Sequence, residues 1–413
     1  MNTTRLGRQL LYGFAWWVVG LSIVPFGRLS VRGRRHVPKG QATLMVVNHV
    51  NLFDPVYVYW ASLRRLHGVG TDAALRVPVL GALIPWLSVI PFAKGMKDRA
   101  AMAEIDRRIK EGAAVLIFPE GNRSWTGRMN PVGAGIGRLA KRLGVPVSFG
   151  RFRTGHLQWP RWATYPRFMS VQLEFTEPDT YPEEMDAEEI TADIIRRIGI
   201  QPEEVSAPRL SWGFRLASGL PDFLWACPSC FSLSGIELVR GASHAVACSG
   251  CGARWRLDLS CRMHSERDGI DDTLVDAAYH GILAHFGDEP VADRARFEQD
   301  GVLLECPTAQ VALVERGVRT ARPLGAGALQ LTNDRLRLSD GSMDVRLADI
   351  KAVLIQLGGH LQVRTADQVY DLTTPGQSKH MWQYFLRRHL RRVRAEVAAS
   401  AAGADAPRPP PPG

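Results

Sequence analysis

The chain has 413 residues, enough for two or three domains with separate cores, and its 46% hydrophobic content is ordinary for a folded soluble or peripheral protein. A formal net charge of +10 favours an anionic partner, a nucleic acid or an anionic membrane surface. Six cysteines, four of them in two Cys-x-x-Cys pairs, point to metal rather than to a disulfide framework, and so to a reducing, cytoplasmic setting.

Residues 1–53 contain no Asp or Glu, yet carry Arg5, Arg8, Arg28, Arg32, Arg34, Arg35 and Lys39. Between these basic clusters runs the uncharged stretch Leu10 to Phe26, with Trp16 and Trp17 inside it. The run is short of the roughly 20 apolar residues of a crossing helix, and Gly13 and Pro25 shorten it further. Residues 1–35 therefore read as a membrane-associating N-terminal helix that lies on or dips into the bilayer. A buried core helix and a spanning or cleaved segment are the alternatives, although no small-x-small cleavage site follows.

Strands and helices then alternate. Thr43 to Val47 reads as a strand, Pro55 to Arg65 as a helix, and Ala100 to Glu111 as a second helix with Gly112 at its C-cap. Ala113 to Phe118 reads as a buried strand, Gly135 to Leu143 as a helix, Val145 to Phe149 as extended, and Glu183 to Ile200 as a closing helix. This order predicts an α/β domain over residues 36–205. A linker, Gln201 to Pro208, leads to the cysteine pairs at 220–262 and to a helical connector at 263–300 containing Thr273 to Phe286. Short segments follow within 301–394: Ala328 to Leu331, Arg335 to Leu338, Met343 to Leu347, Ala352 to Gln356, Leu361 to Arg364 and Val369 to Leu372. One helix, His380 to Val393, closes them, which predicts a small β-rich sandwich or barrel. Residues 395–413, rich in Ala and Pro, read as a disordered tail, and no internal repeat is present.

Two features carry chemistry. Asn48-His49-Val50-Asn51-Leu52-Phe53-Asp54 puts a histidine at a strand end and a carboxylate five residues on. Folded back by the turn, Asp54 would fix the imidazole tautomer while the other ring nitrogen takes a proton from a hydroxyl. Asp54-Pro55 also suits a helix start, with Asp as N-cap and Pro at the first helical position, and the two uses do not exclude each other. Phe118-Pro119-Glu120-Gly121-Asn122-Arg123-Ser124 ends a strand in a turn, expected to present Glu120 and Arg123 outward, with Arg123 suited to two phosphate oxygens. A loop with a surface ion pair is the plain alternative.

Together, His-x4-Asp and Phe-Pro-Glu-Gly resemble the glycerolipid acyltransferase family typified by 1-acyl-glycerol-3-phosphate acyltransferase. The family's first block appears as NHVNLFD and its third as FPEGNRS, with Asn122 in place of Thr; the likeness covers roughly residues 10–200. The resemblance implies that His49 is the general base and Asp54 its orienting partner, that Glu120 and Gly121 shape the acceptor site, and that Arg123 contacts the acceptor phosphate. It implies a thioester donor, acyl-CoA or acyl carrier protein, and a lysophosphatidic acid or related acceptor at the cytoplasmic face of the cell membrane. The second block departs from the pattern, placing Lys94 where an arginine binds phosphate; Lys keeps the charge and loses the two-pronged geometry. The fourth, Val145 to Gly150, keeps one proline of two. An acyltransferase for a different lipid acceptor and a non-catalytic membrane adaptor on the same scaffold are the alternatives. The apolar stretch Leu75 to Phe92 fits either core packing or a surface resting in the interface beside the acyl channel.

Cys227-Pro-Ser-Cys230 and Cys248-Ser-Gly-Cys251 match a four-thiolate zinc ribbon, whose filled tetrahedral shell makes Zn2+ structural rather than catalytic. Cys261, His264 and Cys306 read as core or surface residues. With few stacking aromatics nearby, the module reads as an adaptor for a protein partner, with no nucleic acid expected. Residues 327–350 and the helix with Trp382 resemble a PH/GRAM-like domain, and Arg387, Arg388, Arg391, Arg392 and Arg394 on that helix are candidates for anionic headgroups.

Overall fold

The structure is a computed structural model that describes residues 27–71, 89–92, 98–287, 299–314, 321–356 and 360–404. The expected N-terminal helix, Lys94 and all but the last four residues of the 75–92 stretch lie outside the described residues. Among the described residues no helix is long and apolar enough to cross a membrane. The chain forms two compact units, one of residues up to Ser218 with 239–245 and 255–277, the other of 219–238, 246–254 and 278 onward.

The first unit is built on β1 (Leu29–Arg32), β2 (Thr43–Val47), β3 (Leu66–Thr71), β4 (Ile90–Phe92), β5 (Ala114–Ile117), β6 (Val147–Phe152) and β8 (Val171–Asp179), in the order β1-β8-β6-β2-β5-β3-β4. Every pairing is parallel except β6 with β8. Strand β2 sits inside this sheet, and all five of its residues are buried, as a continuous apolar run with neighbours on both edges requires. Its side chains alternate between two cores: Leu44 and Val46 join Ile105, Ile109 and Phe149 on one face, Met45 and Val47 join Tyr57, Phe152 and Phe175 on the other.

Helices cover these faces. Helix α1 (Asp54–Ser62) follows β2, and α2 (Arg99–Lys110) begins where the Asp98 carboxylate accepts a hydrogen bond from Ala101 N–H (2.9 Å). Ala101, Ile105 and Ile109 bury one stripe of α2, and Gly112, at φ +78°, lies just past its end. Helix α3 (Gly135–Leu143) has the expected bounds. Helix α5 (Ala187–Ile198) starts later than expected because Asp186 and Glu189 form a reciprocal capping box there. The short α4 (Gly155–Gln158) and the two-residue strands β7 (Arg167–Phe168) and β9 (Trp212–Gly213), which pair antiparallel, complete the part before 218. This unit runs past the expected boundary at 205. Buried Arg167 donates to Leu259 O (3.0 Å) and approaches Cys261 Sγ (3.2 Å), and buried Asp276 accepts from Arg128 Nε (2.9 Å), so residues beyond 255 belong to the same packing.

The expected ribbon at 220–262 is accordingly divided between the units, with both Cys-x-x-Cys knuckles in the second. There β10 (Val302–Val314), β11 (Ala321–Thr332), β12 (Arg335–Leu338), β13 (Asp344–Arg346), β14 (Ala352–Ile355), β15 (Leu361–Arg364) and β16 (Val369–Thr373) form one antiparallel sheet, ordered β13-β12-β11-β10-β16-β15-β14. The terminal helix (Lys379–Ala404) buries Trp382, Phe385, Leu386 and Leu390, and continues beyond the expected end at Val393. Its arginines serve the unit itself: Arg387 donates to Val353 O, Arg392 to Asn333 and Arg394 to Ile350 O, while Arg388 donates to the Tyr384 hydroxyl.

Candidate active site

The loop after β2 is fixed by two asparagines. Asn48 Nδ2 donates to Phe152 O (3.1 Å) and its Oδ1 accepts from Phe152 N–H (2.7 Å), extending the β2–β6 pairing by one side chain. Asn51 donates to Gly155 O (2.8 Å) and Gln158 Oε1 (3.0 Å), while its Oδ1 accepts from Phe53 N–H (3.0 Å) in an Asx turn. Both are buried, so the turn between His49 and Asp54 is a rigid piece of the domain.

Asp54 is fully buried, and its Oδ2 accepts from Val50 N–H (2.6 Å) and Asn51 N–H (2.7 Å) and meets His49 Nδ1 at 2.9 Å. An N-cap carboxylate bonds amides ahead of it in the helix. This one bonds amides three and four residues behind it, so the side chain serves the histidine loop rather than the helix end. With two N–H donors already on Oδ2, Nδ1 contributes the third proton, and Nε2 keeps its lone pair. The His49 side chain is 19% exposed and its ring stacks on Phe118 with centroids 4.4 Å apart. Burial lowers the His49 pKa; the Asp54 hydrogen bond and charge oppose that shift, and the charges of Arg123 and Arg161 reinforce it. Burial likewise pushes the Asp54 carboxyl up, against its bond to His49.

The loop after β5 grips His49 by its main chain. Glu120 Oε1 accepts from His49 N–H (2.7 Å), Glu120 Oε2 accepts from Asn130 N–H (2.8 Å) and Nδ2 (3.1 Å), and Ser124 N–H donates to His49 O (2.8 Å). Glu120 therefore turns inward, where it is 9% exposed, and not outward as its place in the turn suggested. Burial raises its pKa to about 7, against the amide bonds that favour the carboxylate. Gly121 makes the reversal at φ +66°, with its N–H on Phe118 O (3.0 Å). The Arg123 guanidinium is largely enclosed, which lowers its pKa, and the charge of Asp54 partly offsets this. Arg161 donates to Arg123 O (2.8 Å) and lies over the Trp125 ring at 3.9 Å.

The structure thus brings His49, Asp54, Glu120, Gly121 and Arg123 together. Sequence reasoning gave no role to Asn48, Asn51, Ser124, Asn130 or Arg161. The first two were visible as short amides flanking the histidine; the others answer main-chain groups that no local pattern reveals.

In the second unit the Sγ atoms of Cys227, Cys230, Cys248 and Cys251 lie within 4.8 Å of one another, with 3.8 Å between Cys227 and Cys251 and 3.7 Å between Cys230 and Cys248. A tetrahedral zinc about 2.3 Å from each sulfur separates the sulfurs by about 3.8 Å, so the donor set fits that ion. Ser232 bonds Cys230 (3.3 Å) and approaches Cys248 Sγ (3.4 Å), holding the Cys230 thiol down at about 6, whereas burial pushes Cys227 up. Cys261 and Cys306 are buried away from this cluster, and His264 lies between Asp258 and Asp272.

Residues 28–148 match the family model described as Acyltransferase. A chloroplastic 1-acyl-sn-glycerol-3-phosphate acyltransferase of Brassica napus is 28% identical over 146 residues, 35% of this chain and 42% of that protein. A protein of the same name from Pseudomonas aeruginosa is 29% identical over 166 residues, 39% of this chain and 62% of that one. The matches to the Brassica and Arabidopsis proteins span 42% and 36% of those relatives' own length. The solved 1-acyl-sn-glycerophosphate acyltransferase of Thermotoga maritima is 20% identical with a TM-score of 0.40, over 48% of this chain and 81% of that chain.

Proposed function

We infer that this chain, which belongs over residues 28–148 to the acyltransferase family, transfers a fatty acyl group from a thioester to the free hydroxyl of 1-acyl-glycerol-3-phosphate or a closely related acceptor. The observation that carries this reading is the direction of the Asp54 carboxylate, which holds His49 Nδ1 and leaves Nε2 as a base beside an enclosed arginine. Nε2 takes the proton of the acceptor hydroxyl as its oxygen attacks the thioester carbonyl. The tetrahedral intermediate then collapses, the C–S bond breaks, and the thiol leaves with the proton from His49. Asp54 keeps the ring tautomer and stabilises the imidazolium formed between the two steps. Arg123 binds the acceptor phosphate by two oxygens, and Lys94 adds a second positive charge. Glu120 and Gly121 shape the acceptor site through the loop they fold.

Acyl-CoA and acyl carrier protein both supply the required thioester. Work on a lipid acceptor sets the enzyme at the cytoplasmic face of the cell membrane. A zinc ion held by Cys227, Cys230, Cys248 and Cys251 would supply fold stability, since four thiolates leave no open position for chemistry. The knuckles around it offer a protein partner a rigid surface, and the C-terminal sheet with its closing helix serves as a PH/GRAM-like accessory module.

The purified chain should release free thiol from acyl-CoA when lysophosphatidic acid is added, and His49→Ala should lower that rate by about 10²–10⁴-fold. An unchanged rate in His49→Ala, or no turnover with any glycerolipid acceptor, refutes the assignment.

A further inference from the structure

Of the six exposed large hydrophobic side chains among the described residues, Leu63 and Leu238 stand apart and the other four gather. Leu210 (88% exposed), Trp212 (63%), Phe214 (60%) and Tyr165 (37%) form one patch in the first unit. Leu210, Trp212 and Phe214 are exposed and Ser211 and Gly213 between them are less so; Trp212 belongs to β9, Leu210 to the turn before it and Phe214 to the bend after it. A Cβ on Gly213 would lie 2.5 Å from Leu216 Cδ2 and 3.1 Å from Arg167 Cγ, so this backbone packs directly on the core. The rings are ordered. Trp212 stacks on Phe168 at 5.9 Å and 17°, and Phe214 meets Tyr165 edge-on at 5.7 Å. The buried Arg167 of β7, bonded to Leu259 O, anchors the strand pair beneath them.

The two stretches of chain that carry the patch are free of acidic residues. No Asp or Glu occurs between residues 121 and 173 or between 205 and 221. Arg209 and Arg215 are exposed at the two ends of the segment, and Arg215 lies 5.8 Å from the Tyr165 ring centre and 6.0 Å from that of Phe214. Among the described residues neither arginine pairs with a carboxylate. An exposed apolar cluster of this size marks an interaction surface. Trp, Tyr and Phe beside unpaired Arg are the composition of a surface that enters the headgroup region of an anionic bilayer. A two-fold pairing with a second copy would set Arg209 and Arg215 against their own kind, which disfavours that occupant.

We propose that Tyr165, Leu210, Trp212 and Phe214, flanked by Arg209 and Arg215, form a docking surface for an anionic lipid bilayer. The proposal is independent of acyl transfer, and its test reads binding rather than turnover. The full chain is mixed with phosphatidylcholine vesicles with and without phosphatidylglycerol, and backbone amide exchange is followed together with co-sedimentation. Exchange at residues 208–216 should slow on phosphatidylglycerol vesicles. L210S/F214S should weaken partitioning by at least about tenfold with an unchanged thermal melt, because both side chains lie outside the core. R209Q/R215Q should weaken it about fivefold per arginine on phosphatidylglycerol vesicles and leave binding to neutral vesicles unchanged. Vesicle-bound protein with unchanged exchange at 208–216, or no binding to phosphatidylglycerol vesicles, overturns the proposal. So does protection of 208–216 that appears without lipid on raising protein concentration, with the mass of a dimer, since the occupant is then a second copy.

Discussion

One oxygen of Asp54 takes three donors, and the replacement of that carboxylate by an amide tests how it is used. Asp54→Asn keeps one acceptor oxygen but loses the negative charge, so it no longer stabilises the imidazolium and, with its amide group turned to Nδ1, admits the other tautomer. We expect kcat to fall by about 10²–10⁴-fold while KM for the acceptor changes little, as measured by steady-state thiol release. The depressed His49 pKa has a sign that can be read directly. The ring stays unprotonated to lower pH than a free imidazole, so the acid limb of the kcat/KM profile should have its midpoint below 6.5. Glu120 acts on stability in the opposite sense. Its folded pKa of about 7 exceeds the unfolded value near 4.5, so its contribution is full below about 4.5 and is lost as pH rises through 7. Urea unfolding of Glu120→Gln should show a flatter decline between pH 5 and 7 than wild type, and equal slopes would show that Glu120 does not titrate there. At this scale the contact of His49 with Asp54 was legible, since the two stand in a spaced motif. The inward turn of Glu120 was not, since it depends on the Asn130 amides ten residues on.

Regular elements with one clear period were legible, and those interrupted by proline or glycine were not. Strand β2 and helix α3 have their expected limits because an apolar run and a 3.6-residue repeat state them outright. Strand β10 is not legible in the sequence, since Pro307 breaks its alternation. The register shift between Cys306 and Ala309 absorbs that residue, which has no N–H to give the ladder. Gly325 and Gly327 similarly hide the first half of β11, whose expected segment begins only at Ala328. The terminal helix depends on packing more than on propensity: Trp382 is fully buried among the sheet's side chains, with Nε1 donating to Gln377 (2.8 Å). Trp382→Ala should cost about 3–5 kcal/mol, observable as a lowered urea midpoint at unchanged m-value. A smaller change would mean that the helix is held chiefly by the Arg387, Arg392 and Arg394 bonds to main-chain carbonyls and Asn333.

Across the whole molecule, the four-cysteine cluster falls in one unit and His49 in the other. The purified chain should carry about one zinc per chain by elemental analysis, and Cys248→Ser should lose it. Metal-free protein should unfold at lower temperature in the second unit. Because no thiolate position is open, its acyl transfer below that temperature should match the metal-loaded enzyme. A rate that falls in proportion to zinc content would contradict a structural ion. The expected ribbon at 220–262 and connector at 263–300 cut across a stretch, residues 255–277, that packs with Arg167 and Arg128 of the first unit. Contacts made so far along the chain leave no periodic trace.

His49 hangs from the loop after β5 by both its N–H and its carbonyl, and that same loop carries Arg123. Whatever steadies the guanidinium also steadies the imidazole one peptide away from the Ser124 amide. On the proposed contact of Arg123 with the acceptor phosphate, recognition and base alignment would be a single mechanical event, with the phosphate a splint as well as a handle. An acceptor stripped of its phosphate should be penalised in turnover even at saturation, and adding free phosphite to that truncated acceptor should restore part of the lost rate without any covalent link between the pieces.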